Sequence, residues 1–204
     1  MRKITFVISI PMLPPDTLKL LKYADPVNGD IICESRFPGI AMIKNNIHAK
    51  ADVNIVTVRT IDDNSRSEEC YRLFKEELSA LSDDISIKLD INTEISVPHN
   101  EDISKEKQLL KSLFNSFPEN SDVFMDVTYG TKMTAIEMFS SLCYAEIAKK
   151  CSIKSIIYGK YSFNGSDTGQ LYDVINLYNL MRLIETSSHM DKNSFKDLVL
   201  QIID

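Results

Sequence analysis

The 204-residue chain contains no stretch of eighteen consecutive apolar residues, so no membrane-spanning helix is expected. Arg2-Lys3 precedes an apolar run too short for a secretory signal. Cysteine is sparse, and Cys33, Cys70, Cys143 and Cys151 form no CxxC pair. Two of the four fall on apolar helical stripes, which predicts buried free thiols in a reducing cytoplasm rather than a disulfide framework. His48, His99 and His189 are equally dispersed, so neither a zinc site nor another metal or cofactor is expected. Basic residues are outnumbered, 23 Lys and Arg against 29 Asp and Glu, giving a net charge of −6. That balance argues against a broad basic surface for duplex DNA or long RNA, but leaves room for a compact anion at one local site. Both common glycine fingerprints are missing: no GxGxxG follows the first apolar run, and no GxxxxGK[ST] occurs. With no internal repeat, low-complexity segment or composition break, residues 1–187 read as one domain and residues 188–204 as a short terminal helix or tail.

What is present alternates between two periods. Lys3 to Ile10 reads as a buried strand, ended by Pro11, Pro14 and Pro15. Thr17 to Tyr23 and Ile31 to Glu34 flank Asn28-Gly29, a hairpin signal within Asp25 to Asp30. Pro38 opens a helix running to His48, with Ile40, Ile43 and Ile47 on one face. Val53 to Val58 is a second strand, and a helix entered at Ser67 carries Cys70, Leu73, Phe74, Leu78 and Leu81. Ile85, Ile87, Leu89 and Ile91 alternate strictly, and Ile95 and Val97 continue the pattern, which predicts one bent strand or two short ones. A helix follows over Ile103 to Phe117, then the short run Val123 to Met125. Ile136, Phe139, Cys143 and Ile147 stripe the next helix; Ser155 to Tyr158 is a strand and Ser162 to Gly169 a polar loop. Leu171 to Val174 is a short strand, and Leu177, Leu180, Met181 and Ile184 mark the last helix. This order predicts an α/β, Rossmann-like fold, with a mainly parallel central sheet and helices on both faces.

The densest chemistry lies in Asp126-Val127-Thr128-Tyr129-Gly130-Thr131-Lys132-Met133, between a strand and the longest amphipathic pattern. A turn of this kind exposes backbone N–H groups at the positive end of a helix, with hydroxyls and an ammonium beside them. Asp126 could contact a ligand but is expected rather to fix the turn, Gly130 to supply a positive φ or a close approach, and Thr128 and Thr131 to cap the helix, a role compatible with phosphate or ribose binding. Lys132 opposes the helix dipole, which points to an anionic partner. Tyr129 could stack on a base or sit at a subunit interface; Met12 and Met133 offer adaptable apolar surface or core packing. Since ligands of open α/β sheets bind beyond the carboxyl ends of strands, two loops form the candidate site: Ser9, Ile10, Pro11 and Met12, and Thr128, Tyr129, Gly130, Thr131, Lys132 and Met133.

The Asp126-Val127-Thr128-Tyr129-Gly130 segment resembles the Asp-[Ile/Val]-Thr-x-Gly motif of CARF domains, the CRISPR-associated Rossmann-fold sensors. Tyr158-Gly159-Lys160, Gly169, Tyr172-Asp173-Val174 and the Ser35-Arg36-Phe37 helix entry extend the likeness over residues 1 to about 185. The resemblance implies a homodimeric sensor that holds cyclic oligoadenylate, such as cyclic tetra-adenylate, across its two-fold axis and switches a separate effector protein. It also implies that both loops touch the ligand, with Ser9 an aid to ring cleavage in ring-nuclease members. Such a nuclease would need no metal: the ribose 2′-OH attacks the adjacent phosphorus, Lys132 stabilises charge, and Ser9 or Thr131 orients the ribose. A third reading, outside the family, is an unrelated Rossmann-like nucleotide-binding protein. With only about twenty residues after the last helix, an appended effector domain is not expected. Arg182 and His189 share the Arg-x6-His spacing of HEPN ribonucleases, but no helical bundle surrounds them, so that activity is not expected.

Overall fold

The computed structural model describes residues 3–25, 28–48, 51–61, 65–98, 103–161, 167–187, 191, 193–196 and 198. Its centre is β1 (Lys3–Ile10), buried at every position after Lys3. Parallel partners flank β1 on both sides: β4 (Asp52–Ile61) on one, and β6 (Ser121–Asp126) on the other. Beyond β4 lies β5 (Ile91–Pro98), and beyond β6 lies β7 (Ser152–Tyr161), both parallel to their neighbours. The sheet continues through β8 (Thr168–Asp173), antiparallel to β7, to the hairpin of β2 (Leu21–Ala24) and β3 (Ile31–Ser35). Among the described residues the order is β3-β2-β8-β7-β6-β1-β4-β5. The sheet is thus mainly parallel, and the predicted Rossmann-like α/β class is the one observed.

Strand alternation sorts the core into two layers. Ile4, Phe6, Ile8 and Ile10 of β1 face α1 (Pro38–Asn46) and α2 (Arg66–Ile85) with Ile55, Phe124 and Ile157. Val7, Val56, Val58, Val123, Met125 and Ile156 face α3 (Ile103–Ser116), α4 (Lys132–Lys149) and α5 (Ile175–Thr186). Helices therefore cover both faces.

Two local readings are corrected. The Ile85-Ile87-Leu89 alternation is not a strand. Ile85 ends α2, and Ser86 takes the left-handed conformation at φ 54°. The Ser86 and Ile87 N–H groups donate back to Asp83 and Ser82 carbonyls, a helix-closing motif that turns Ile87 and Leu89 toward the core. The Ile136-to-Ile147 stripe is not the inward face of α4 either. Ile136 is 56% and Ile147 65% exposed, whereas Thr134, Glu137, Met138, Ser141, Leu142 and Ala145 face in. Small hydroxyls can go inside because they bond locally: Ser141 Oγ donates to Met138 O at 2.6 Å, and Thr131 and Thr134 pair at 3.1 Å. Phe139 and Cys143 are half-buried, and the Phe139 ring packs edge-on against Tyr178 of α5. Pro26 and Val27 of the expected hairpin loop, 162–166 of the polar loop, His99, His189 and most of 188–204 lie outside the described residues. Residues 193–196 and 198 are helical, with Asp191 Oδ1 accepting from the Asn193 and Ser194 N–H groups.

Candidate functional site

The direction of strand addition reverses at β1, because β4 and β6 lie on opposite sides of it. The crevice outside the carboxyl ends of β1 and β6 is therefore the topological switch point of this sheet. Both predicted loops leave from it. The turn after β6 is seated on the end of β1 by one long-range bond: Tyr129 N–H donates to Ser9 Oγ at 2.9 Å. Thr128 N–H and Oγ1–H donate to Asp126 Oδ1, and Thr128 Oγ1 accepts from Gly159 N–H of β7 at 2.8 Å. Gly130 has φ +98° with Thr134 packed against it, and Thr131 Oγ1 caps α4 by accepting from Thr134 N–H at 3.2 Å. The expected turn-fixing role of Asp126 and capping role of Thr131 are present in this geometry; Thr128, expected to cap as well, does not, because its hydroxyl is engaged with Asp126 and Gly159.

A second helix meets the same crevice. Pro38 rests on Gly159, and Gly39 lies against Ile8 of β1 and Asp126 of β6; a Cβ on Gly39 would stand 2.6 Å from Ile8 Cγ2 and 3.1 Å from Asp126 Oδ2. The segment entering α1 is held by α2. Glu77 accepts from Ser35 Oγ at 2.5 Å and pairs with Arg36 Nη1 at 2.8 Å, while Tyr129 Oη–H reaches Arg36 O at 3.5 Å. Asp126 is 1% exposed, and its Oδ2 has no hydrogen-bond partner. Burial pushes its carboxyl up to about 7, with the Thr128 bonds and the Gly39 amide pulling the other way.

The ten predicted site residues separate into support and surface. Ser9, Ile10, Pro11 and Tyr129 are buried, and the Ser9–Tyr129 bond ties the two loops together. Met12, Thr128, Thr131 and Met133 are half-buried, and Gly130 and Lys132 are exposed. Lys132 opens α4 and makes no hydrogen bond or ion pair with another described residue. Tyr158 and Tyr172, which the sequence reading names but does not place among the candidate site residues, face each other across β7 and β8 and are 47% and 44% exposed, with Lys160 Nζ 6.0 Å from the Tyr172 ring. Their signal was available: Tyr158 and Lys160 alternate with Ile157 and Gly159, and Gln170 and Tyr172 with Gly169 and Leu171, the period of half-buried strands.

Other concavities lie elsewhere. A groove of about 560 Å³ separates α2 from β5, but its charges are committed: Lys88 pairs with Asp90 at 2.7 Å, and Glu94 with Arg59 at 2.7 Å. Arg182 is likewise paired with Glu146 and Glu185. Among the described residues no three His, Cys, Asp or Glu side chains gather to hold a metal ion, and no helix is long and apolar enough to cross a membrane. Fold and site together define a Rossmann-like α/β protein with a candidate ligand edge at its switch point. No protein-family model matches the chain, and no curated protein matches it as a relative.

Proposed function

We propose that this chain is a cytoplasmic sensor of cyclic oligoadenylate, with cyclic tetra-adenylate as ligand and a homodimer as its working form. The observation that carries the reading is the Ser9–Tyr129 bond at the switch point, which presents Gly130, Thr131 and Lys132 at the head of α4. Two helix heads meet there, and they are not equivalent. The head of α1 faces the protein's own Asp126, whereas the head of α4 carries an exposed lysine where a helix alone would favour an acid. An external phosphate belongs at α4. Tyr158 and Tyr172, with Lys160, offer ring faces and a cation beside the turn for adenine bases. A symmetric ring suits a two-fold dimer, since each subunit then repeats the same contacts. The bound state would act on a separate effector. Sensing is favoured over ring cleavage because Ser9, the residue expected to assist it, is 1% exposed and already holds the Tyr129 amide.

Calorimetric titration with cyclic tetra- and hexa-adenylate in EDTA, followed by chromatography of the nucleotide, tests the reading. Tight binding with intact rings is expected, and Lys132→Ala should weaken it about tenfold or more, the scale of one charge-assisted phosphate contact. Failure of both rings to bind overturns the reading; linear products ending in a 2′,3′-cyclic phosphate would replace the sensor with a ring nuclease.

A further inference from the structure

We propose that Asp126 is a proton-linked positioning residue that couples the turn carrying Lys132 to the head of α1. The two oxygens of this buried carboxyl face different elements. Oδ1 holds the turn, accepting from Thr128 N–H and Oγ1–H. Oδ2 points at the first turn of α1, where Gly39 leaves room because it has no Cβ, and finds no partner.

An orphaned, fully buried carboxylate oxygen is costly, and the molecule has two ways to relieve it. In the ionised form, Oδ2 is drawn toward the positive end of α1 and the Gly39 N–H, closing α1 onto the strand ends. In the protonated form the charge that attracts the helix head is gone, and Oδ1 is a weaker acceptor for Thr128. Thr128 Oγ1 also accepts from Gly159 N–H, so a change at Asp126 reaches β7 and, through Tyr129 N–H, Ser9 of β1.

The groups packed around the carboxyl do not compete for this proton. β1 presents Ile8, α1 presents Pro38 and Gly39, and β7 presents Gly159. Arg36, on the approach to α1, is paired with Glu77, and Lys132, on α4, is exposed. What shifts Asp126 is burial first, then the bonds from Thr128 and the field of the nearby Gly39 N–H. No charged side chain contributes. The coupling is therefore a property of the fold and stands whether or not the ligand reading above is right.

The test uses the whole chain, labelled with ¹⁵N, and no nucleotide. Amide shifts are followed from about pH 5 to about pH 8.5, near the range over which a carboxyl in this setting titrates. Gly39 and Thr128, which face the carboxyl, should titrate with a single midpoint well above the ordinary carboxylate range. Gly130, Thr131 and Lys132, which do not touch it, should follow with the same midpoint. Asp126→Asn should abolish the shared transition. Should that variant fail to fold, Thr128→Val serves instead: losing the hydroxyl donor should move the midpoint up by about one pH unit. The proposal is overturned if only Gly39 and Thr128 titrate, if the transition survives Asp126→Asn, or if Thr128→Val leaves the midpoint in place.

Discussion

Asp126 shows how one side chain can be asked to serve two elements with incompatible demands. A carboxylate that accepts two bonds from Thr128 would ordinarily sit below the usual carboxylate range, but complete burial outweighs them and carries it to about 7. The sign of the consequence follows from linkage. A carboxyl raised in the folded state binds more protons folded than unfolded between about pH 4 and about pH 7, so its contribution is fully present below that window and lost as pH rises through it. Urea unfolding at pH 5 and pH 8 should therefore show wild type losing stability relative to Asp126→Asn as pH rises; parallel profiles would remove Asp126 as the source. Glu137 acts in the same direction, raised to about 7 by burial and then by Glu106. A double variant with Glu137→Gln should flatten the profile further.

Element geometry decided which residues of each helix were legible. The inward face of α4 follows helical spacing faultlessly from Thr134 to Ala145, yet Thr134, Glu137 and Ser141 are polar, so a hydrophobicity pattern selects the wrong side. Ile136→Glu and Ile147→Lys should accordingly change unfolding free energy by no more than about 0.5 kcal/mol, while Leu142→Ala should cost about 2–5 kcal/mol. Comparable losses for all three in urea titrations would put the stripe back in the core. The end of α2 offers a gain instead. Ser86 is left-handed at φ 54°, where glycine avoids the Cβ penalty, so Ser86→Gly should stabilise the fold by about 1 kcal/mol.

At the scale of the molecule, the sheet has a parallel centre and an appended antiparallel edge, and Gly169 is the joint between them. A Cβ there would stand 2.4 Å from Tyr23 Cε1, against the hairpin strand β2. Gly169→Ala should lower amide-exchange protection in β2 and β3 while β1, β4 and β6 keep theirs; uniform loss across the sheet would show that hairpin and centre unfold together. The sequence by itself determined the α/β class, the buried first strand, the helix starting at Pro38 and the Thr-x-Gly-Thr-Lys turn, because these depend on periods and turn residues that are local. The strand order, the seating of Tyr129 on Ser9, and the burial of Ser9 and Tyr129 beneath the surface they had been expected to form were decided only by tertiary structure. The placement of α1's head over Asp126 belongs with them. It joins residues 39 and 126 through one close approach, and nothing in the spacing of either segment encodes the other.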